Sequence, residues 1–276
     1  MKRTLNCKGK LIDLNEPKVM GILNITPDSF YDKSRLSSKY DLLKRTETML
    51  SEGATFIDLG AYSSRPGAEF VSEEEERKRL IPALEIILKE FPDVLLSIDT
   101  FRSNIARETI DLGASMINDI SGGDMDPEMF DVVVNKQVPY ILMHMRGNPQ
   151  TMSNLNNYDH LIVDIISELQ VKVNHLQKRG LNDIIIDPGL GFAKDLLQNY
   201  EIVKELNSFK CTGHPLLIGA SRKSTIYKLL ECEPQNALTG TTVVHTACLL
   251  NGASILRVHD VKEAIEAIKI TTLLKK

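Results

Sequence analysis

Ile184-Ile185-Ile186-Asp187-Pro188-Gly189-Leu190-Gly191-Phe192-Ala193-Lys194 is the stretch that decides how this 276-residue chain folds. Three successive β-branched residues make a short strand buried on both faces, as in a parallel sheet. Pro188 cannot donate to a ladder and Gly189 permits a turn, so the strand stops at Asp187. A carboxylate is left at the C-terminal tip of a core strand, where burial without a partner is costly. One such Asp could do no more than tie its own turn. The pattern gains meaning because it recurs.

Toward the C-terminus, Asp195-Leu196-Leu197-Gln198 opens a helix, and Pro215 to Ser221 reads as an apolar strand with Ser221-Arg222-Lys223-Ser224 at its tip. Helical segments follow near 222–231 and 236–250, then a strand over 253–259 and a last helix capped from Asp260 to Glu263. Toward the N-terminus, a long amphipathic helix near 159–179 ends at Gly180, and a strand over 138–145 precedes it. Before these come a short helix to about Asn135 with Asp126 as N-cap and Pro127 at its first position, a strand and loop over 115–123, a helix over 101–112 and a strand over 94–100. Ser72 to Glu75 reads as a capping box for a helix to about Phe91, which Pro82 should kink. A strand over 55–60, a helix near 39–52 closed by Gly53, a strand over 18–24 and a hairpin over 3–14 about Lys8-Gly9 complete the chain.

Eight strands thus alternate with eight helical segments, one unit per roughly 30–35 residues, which predicts a (β/α)8 TIM barrel with a short N-terminal β-hairpin, a single domain over residues 1–276. An open doubly wound sheet is the structural alternative, but no GxGxxG follows the first barrel strand. The formal charge of −4 gives no support to a nucleic-acid-binding surface. No apolar run approaches the ~18 residues of a membrane span, and no apolar signal segment follows Met1 to Asn6. The four cysteines lack CxxC spacing and read as reduced thiols, so a cytoplasmic protein is expected. Without an HExxH pair among the histidines, a zinc site is not expected.

In a (β/α)8 barrel the strand tips converge on one face, where catalytic residues lie. The tips here are Asn24, Ser64-Arg65, Asp99, Asn118, His144, Asp187, Ser221 to Lys223, and Arg257 to His259. His144, between Met143 and Met145, reads as a packed or hydrogen-bonded histidine rather than an acid or base. Glu73 to Glu76 read as a solvated first helical turn favoured by the macrodipole, and Asp58 and Asp119 as supports behind the site. Arg65, Arg257 and Lys223 are cationic donors that suit a phosphate or another oxyanion. Asp99 and Asp187 with Asn118 suit a flat heterocycle rich in N–H donors. Covalent acyl transfer is disfavoured, since there is no nucleophile elbow and no evident Ser-His-Asp set.

The segments Met20 to Phe30, Ser64 to Ala68, Ile98 to Thr100, Ile117 to Ile120, Leu142 to Met145, Asp187 to Phe192, Ser221 to Ser224 and Arg257 to Asp260 together resemble dihydropteroate synthase, a pterin-binding TIM-barrel family. The resemblance runs from about residue 17 to 274 with the motifs in family order. It implies condensation of 6-hydroxymethyl-7,8-dihydropterin pyrophosphate with p-aminobenzoate, releasing pyrophosphate through a Mg²⁺-assisted pterin cation. It implies that Asp99, Asn118, Asp187 and Lys223 hold the pterin ring, with Met143 and Phe192 packed near it. Asn24 would ligate Mg²⁺, while Arg65, Arg257 and His259 hold the pyrophosphate. Ser64, Pro66, Ser221 and Phe30 would line the p-aminobenzoate pocket, where sulfonamides compete, and Lys223, Arg257 and Asn24 would carry the chemistry. A homodimer through the last helices is implied too.

One departure stands out. Tyr62 occupies the place where many family members carry a glutamate before the Ser-Arg-Pro-Gly loop, which leaves open how that loop is anchored. Two other classes share part of the pattern. A pterin-binding methyltransferase would need the Asp/Asn grip but not the arginines, and a non-catalytic pterin-binding relative would keep the pocket without the activity.

Overall fold

A computed structural model describes residues 2–25, 35–62 and 71–275. β1 (Thr4–Cys7) and β2 (Lys10–Asp13) form an antiparallel hairpin about Lys8 and Gly9, whose φ angles of 55° and 82° suit a tight turn that follows strand twist. Then come β3 (Lys18–Asn24), α1 (Arg35–Ser51), β4 (Phe56–Gly60), α2 (Glu73–Glu90), β5 (Leu96–Asp99), α3 (Ser103–Leu112), β6 (Met116–Asp119), α4 (Met129–Lys136) and β7 (Tyr140–Met143). The second half adds α5 (Leu161–Lys178), β8 (Ile184–Asp187), α6 (Leu196–Lys204), β9 (Leu217–Ile218), α7 (Ser224–Tyr227), α8 (Leu238–Leu250), β10 (Ile255–Val258) and α9 (Val261–Leu274).

β3 to β10 form one parallel sheet in the order β8-β7-β6-β5-β4-β3-β10-β9. Its ends meet through a single bridge between Ile186 and Leu216, where the Ile186 N–H donates to the Pro215 carbonyl at 2.9 Å. The sheet therefore closes into a (β/α)8 TIM barrel, with its thinnest seam beside the two-residue β9.

Side-chain alternation divides the strands' residues between two cores. Val19, Ile57, Ile98, Ile117, Leu142, Ile186 and Val258 face outward against the helices. Met20, Phe56, Met116, Ile141, Ile185, Leu217 and Ile255 face inward and pack on Leu5, Cys7 and Ile12 of the hairpin, which plugs the bottom of the barrel. Two residues further along each strand the inward positions turn polar: Asp58, Ser97, Asn118, Asp187 and Arg257, with Ile22, Met143 and Gly219 between them. The fold thus sets a ring of charge and amide on top of an apolar floor.

Several local expectations change. α2 continues through Pro82 as one helix, with the proline on its exposed side. Glu76 is not solvated with its neighbours but fully buried. Asp126 accepts from the Ser103 N–H at 2.7 Å and the Glu128 N–H at 3.0 Å, so it ties the start of α3 to the turn before α4 rather than capping α4 directly. Asp260 gives its carboxylate to Arg222 (2.8 Å at both oxygens) instead of capping α9. No helix among the described residues is long and apolar enough to cross a membrane.

Candidate active site at the strand tips

Arg257 organises the polar layer. Its Nε donates to Asp58 Oδ2 at 2.6 Å and its Nη2 to Asp99 Oδ2 at 2.5 Å, and Asn118 Nδ2 donates to the same Asp58 oxygen at 3.0 Å. One guanidinium therefore spans carboxylates from two strands, which a point-charge ammonium could not do with fixed geometry. Burial works against the charge on Arg257, yet Asp58 and Asp99 hold its pKa above the ordinary value. Burial pushes the Asp99 carboxyl up to about 7, against the opposing pull of Arg257 and with help from the nearby charge of Asp58.

Asp187 and Lys223 form the opposite side. Asp187 is buried, accepts from the Gly189 N–H at 2.8 Å, and has its pKa raised by burial and restrained by Lys223. Burial lowers Lys223 to about 8, and Asp187 opposes that shift. The Lys223 ammonium donates to the Leu190 carbonyl and lies 4.6 Å from the centre of the Phe192 ring. Phe192 and Met143 belong to one buried apolar group with Phe101, Ile120 and Met145, beside the charged layer. Gly219 lies beside both cations: a Cβ there would be in ordinary contact, 3.9 Å from Lys223 Nζ and 4.0 Å from Arg257 Cδ.

At the rim, His259 and Ser221 meet: the Ser221 hydroxyl oxygen accepts from the His259 N–H at 3.2 Å and lies 3.1 Å from Nδ1. Asn24 is exposed at the tip of β3, and its Oδ1 lies 3.7 Å from where a Cβ on Gly60 would project. Among the described residues no cluster of three His, Cys, Asp or Glu could cage a metal ion. A single exposed amide oxygen above a glycine fits Mg²⁺, which keeps most of its waters and binds with its substrate's phosphates. Arg65, Ser64, Pro66 and Phe30 lie outside the described residues.

The Tyr62 departure acquires a setting. Tyr62 packs edge-on against Phe101 at 5.3 Å, and the Arg102 guanidinium lies over both rings, 5.7 Å and 4.8 Å from their centres. Arg102 pairs with the buried Glu76 and donates to the Val71 carbonyl at 2.5 Å. Glu76 thus supplies a buried carboxylate near Tyr62. Sequence reasoning treated Glu76 as solvent-facing because nothing local distinguishes it within a run of four glutamates. Asp58, read as a support behind the site, does hold Arg257 and Asn118 from the inward face of β4. His144 is buried and hydrogen-bonded to Glu168 at 3.0 Å, as its apolar neighbours suggested.

Residues 20–259 match the family described as pterin binding enzyme, which sets the class of this barrel. Dihydropteroate synthase of Synechocystis is 42% identical over 259 residues, covering 93% of this chain and 89% of that protein. Dihydropteroate synthase of Yersinia pestis in a sulfonamide drug complex superposes with a TM-score of 0.91 at 39% identity, covering 99% of both chains. The Xanthomonas albilineans enzyme with 4-aminobenzoic acid gives a TM-score of 0.90 at 33% identity, covering 100% of this chain and 99% of that one. The chain belongs to the dihydropteroate synthase family.

Proposed function

We propose that the chain is a transferase of folate biosynthesis that condenses 6-hydroxymethyl-7,8-dihydropterin pyrophosphate with p-aminobenzoate and releases pyrophosphate. The observation that carries this reading is the polar set at the strand tips: Asn118 and Asp187 lie in the inward layer with Arg257, Asp99 follows at the end of β5 within reach of that arginine, and Lys223 enters from the loop after β9. Two carboxylates and an amide complement the N–H donors and carbonyl of a pterin, and Lys223 supplies a cation toward a ring acceptor. Met143 and Phe192 provide the apolar contact for the ring faces.

Arg257, Arg65 and His259 are assigned to the pyrophosphate, where positive charge stabilises the leaving group as its C–O bond breaks. Mg²⁺, held by Asn24, would neutralise charge on that group. Departure leaves a pterin methylene cation, delocalised into the ring that Asp99 and Asp187 grip. The aromatic amine of p-aminobenzoate, lined by Ser64, Pro66, Ser221 and Phe30, attacks that carbon and then loses a proton. The attacking nitrogen is neutral, so orientation and electrostatics supply most of the acceleration. A cytoplasmic homodimer through the last helices completes the reading.

Calorimetry with a dihydropterin tests it through Asp187→Asn. The change is nearly isosteric but puts a donor where an acceptor faces the ring, so binding should fall at least a hundredfold in a folded protein. Near-normal affinity would remove Asp187 from the site.

A further inference from the structure

The loop from Pro188 to Ala193 carries two parts of the pocket wall, the Leu190 carbonyl held by Lys223 and the Phe192 ring, and it ends in a costly conformation. Gly189 and Gly191 take positive φ (73° and 82°) without steric cost, but Ala193 does so (50°) with a Cβ in place. Such a backbone persists only when its surroundings over-determine it. Here side chains hold it almost residue by residue. The Lys194 ammonium donates to the Gly189 carbonyl at 3.1 Å and the Phe192 carbonyl at 2.8 Å, and Tyr158 donates to the Ala193 carbonyl at 2.9 Å.

Lys194 is itself held from behind. It lies 3.0 Å from His144 Nδ1, while His144 Nε2 lies 3.0 Å from Glu168 Oε2 on α5. Burial lowers His144 to about 4, opposed by its Glu168 contact, so the imidazole is neutral near pH 7. The arrangement then has one consistent tautomer: Nε2–H donates to Glu168 and Nδ1 accepts from Lys194. Arg146 holds the same glutamate through Nε at 3.1 Å. Burial lowers Lys194 to about 7, with Asp187 opposing the shift, so the ammonium sits where charge is disfavoured and only its contacts retain it.

We propose that Lys194 is a positioning residue for the pterin site: it fixes the 188–193 loop, and it is braced by His144, itself held by Glu168 of α5. The proposal rests on the pterin reading of the Asp187–Lys223 side. It predicts that Lys194 acts on the pterin substrate and not on p-aminobenzoate, which the reading places at a different part of the rim.

The test is steady-state kinetics of Lys194→Ala beside wild type, with thermal melting and with propylammonium added to refill the vacated space. The expected result is a KM for dihydropterin pyrophosphate raised ten- to a hundredfold, a KM for p-aminobenzoate within twofold of wild type, and partial recovery with propylammonium. Glu168→Gln should give a smaller shift in the same direction, because it weakens the brace without removing the ammonium. Unchanged pterin KM in a folded Lys194→Ala protein would overturn the proposal, as would equal losses for both substrates without rescue by the amine. Should Lys194→Ala fail to fold, Glu168→Gln decides by the same split. Absence of pterin turnover in wild type would instead overturn the functional reading on which the proposal stands.

Discussion

Arg257 Nε lies 2.6 Å from Asp58 Oδ2, which makes a residue of the fourth strand the fixed point from which the arginine reaches Asp99. Arg257 therefore faces any anion as part of a carboxylate–guanidinium bridge that sets its orientation, and Asp58 orients both it and Asn118.

Replacing Asp58 should consequently be felt in stability as well as binding. Asp58 is fully buried, and removal of one partner of a buried pair strands the other. Asp58→Ala should lower unfolding free energy by about 3 kcal/mol, and Asp58→Asn by less. Chemical denaturation followed by fluorescence-independent circular dichroism measures it; a change under about 0.5 kcal/mol, the range of ordinary surface substitutions, would deny Asp58 this role.

Pterin affinity should pass through a maximum with pH. Asp99 must be ionised to accept from the ring, and its carboxyl titrates at about 7, so affinity rises with pH through that value. Lys223 makes a charge-assisted hydrogen bond only while protonated, and it titrates at about 8, so affinity falls above it. Titrations of the enzyme with a dihydropterin from pH 5 to 10 should give a bell whose limbs belong to the coupled site. Asp99→Asn should remove the rising limb, and Arg257→Ala should move it to higher pH, since Arg257 favours the ionised carboxylate.

The parts of this site that were legible in the sequence are those set by local physics. Ile184 to Ile186 could be read as a buried parallel strand, and Asp187-Pro188-Gly189 as its end, because β-branching and the missing proline N–H act within a few residues. Asp195 to Gln198 was legible as a helix start for the same reason; the capping box that closes it is seen only in the structure. β9 was not: Pro215 to Ser221 suggested a full strand, but only Leu217–Ile218 pair as one, with Leu216 making the closing bridge. α7 shrinks to Ser224–Tyr227, with Arg222 at φ 52° before it and Glu231 at φ 50° beyond it. Glu76 and Asp260 were misread because their partners, Arg102 and Arg222, stand 26 and 38 residues away, where no local pattern reaches.

The Glu76–Arg102 pair predicts its own signature. Glu76 is fully buried, so Arg102→Met should cost about 3–5 kcal/mol by leaving that carboxylate without its cation. Adding Glu76→Gln should recover part of the loss, a non-additivity that a double-mutant cycle in denaturant resolves. Independent, additive effects would mean that the two residues do not share the interaction.

Gly189 is required by its surroundings rather than by flexibility. At φ 73°, a Cβ added there would stand 2.0 Å from the His144 carbonyl oxygen, a backbone atom that cannot rotate away. Gly189→Ala should destabilise the protein by about 2–4 kcal/mol and displace the turn that donates to Asp187. Melting temperature and dihydropterin affinity should fall together; a variant with wild-type values of both would contradict the assigned geometry.

The most direct test of the central claim is the reaction itself. The purified chain is incubated with 6-hydroxymethyl-7,8-dihydropterin pyrophosphate, Mg²⁺ and p-aminobenzoate, and dihydropteroate is sought by mass spectrometry, with Asp187→Asn in parallel. Product that depends on p-aminobenzoate and disappears in Asp187→Asn is the predicted result. A folded wild-type chain that forms no dihydropteroate, or an Asp187→Asn protein as active as wild type, would contradict it.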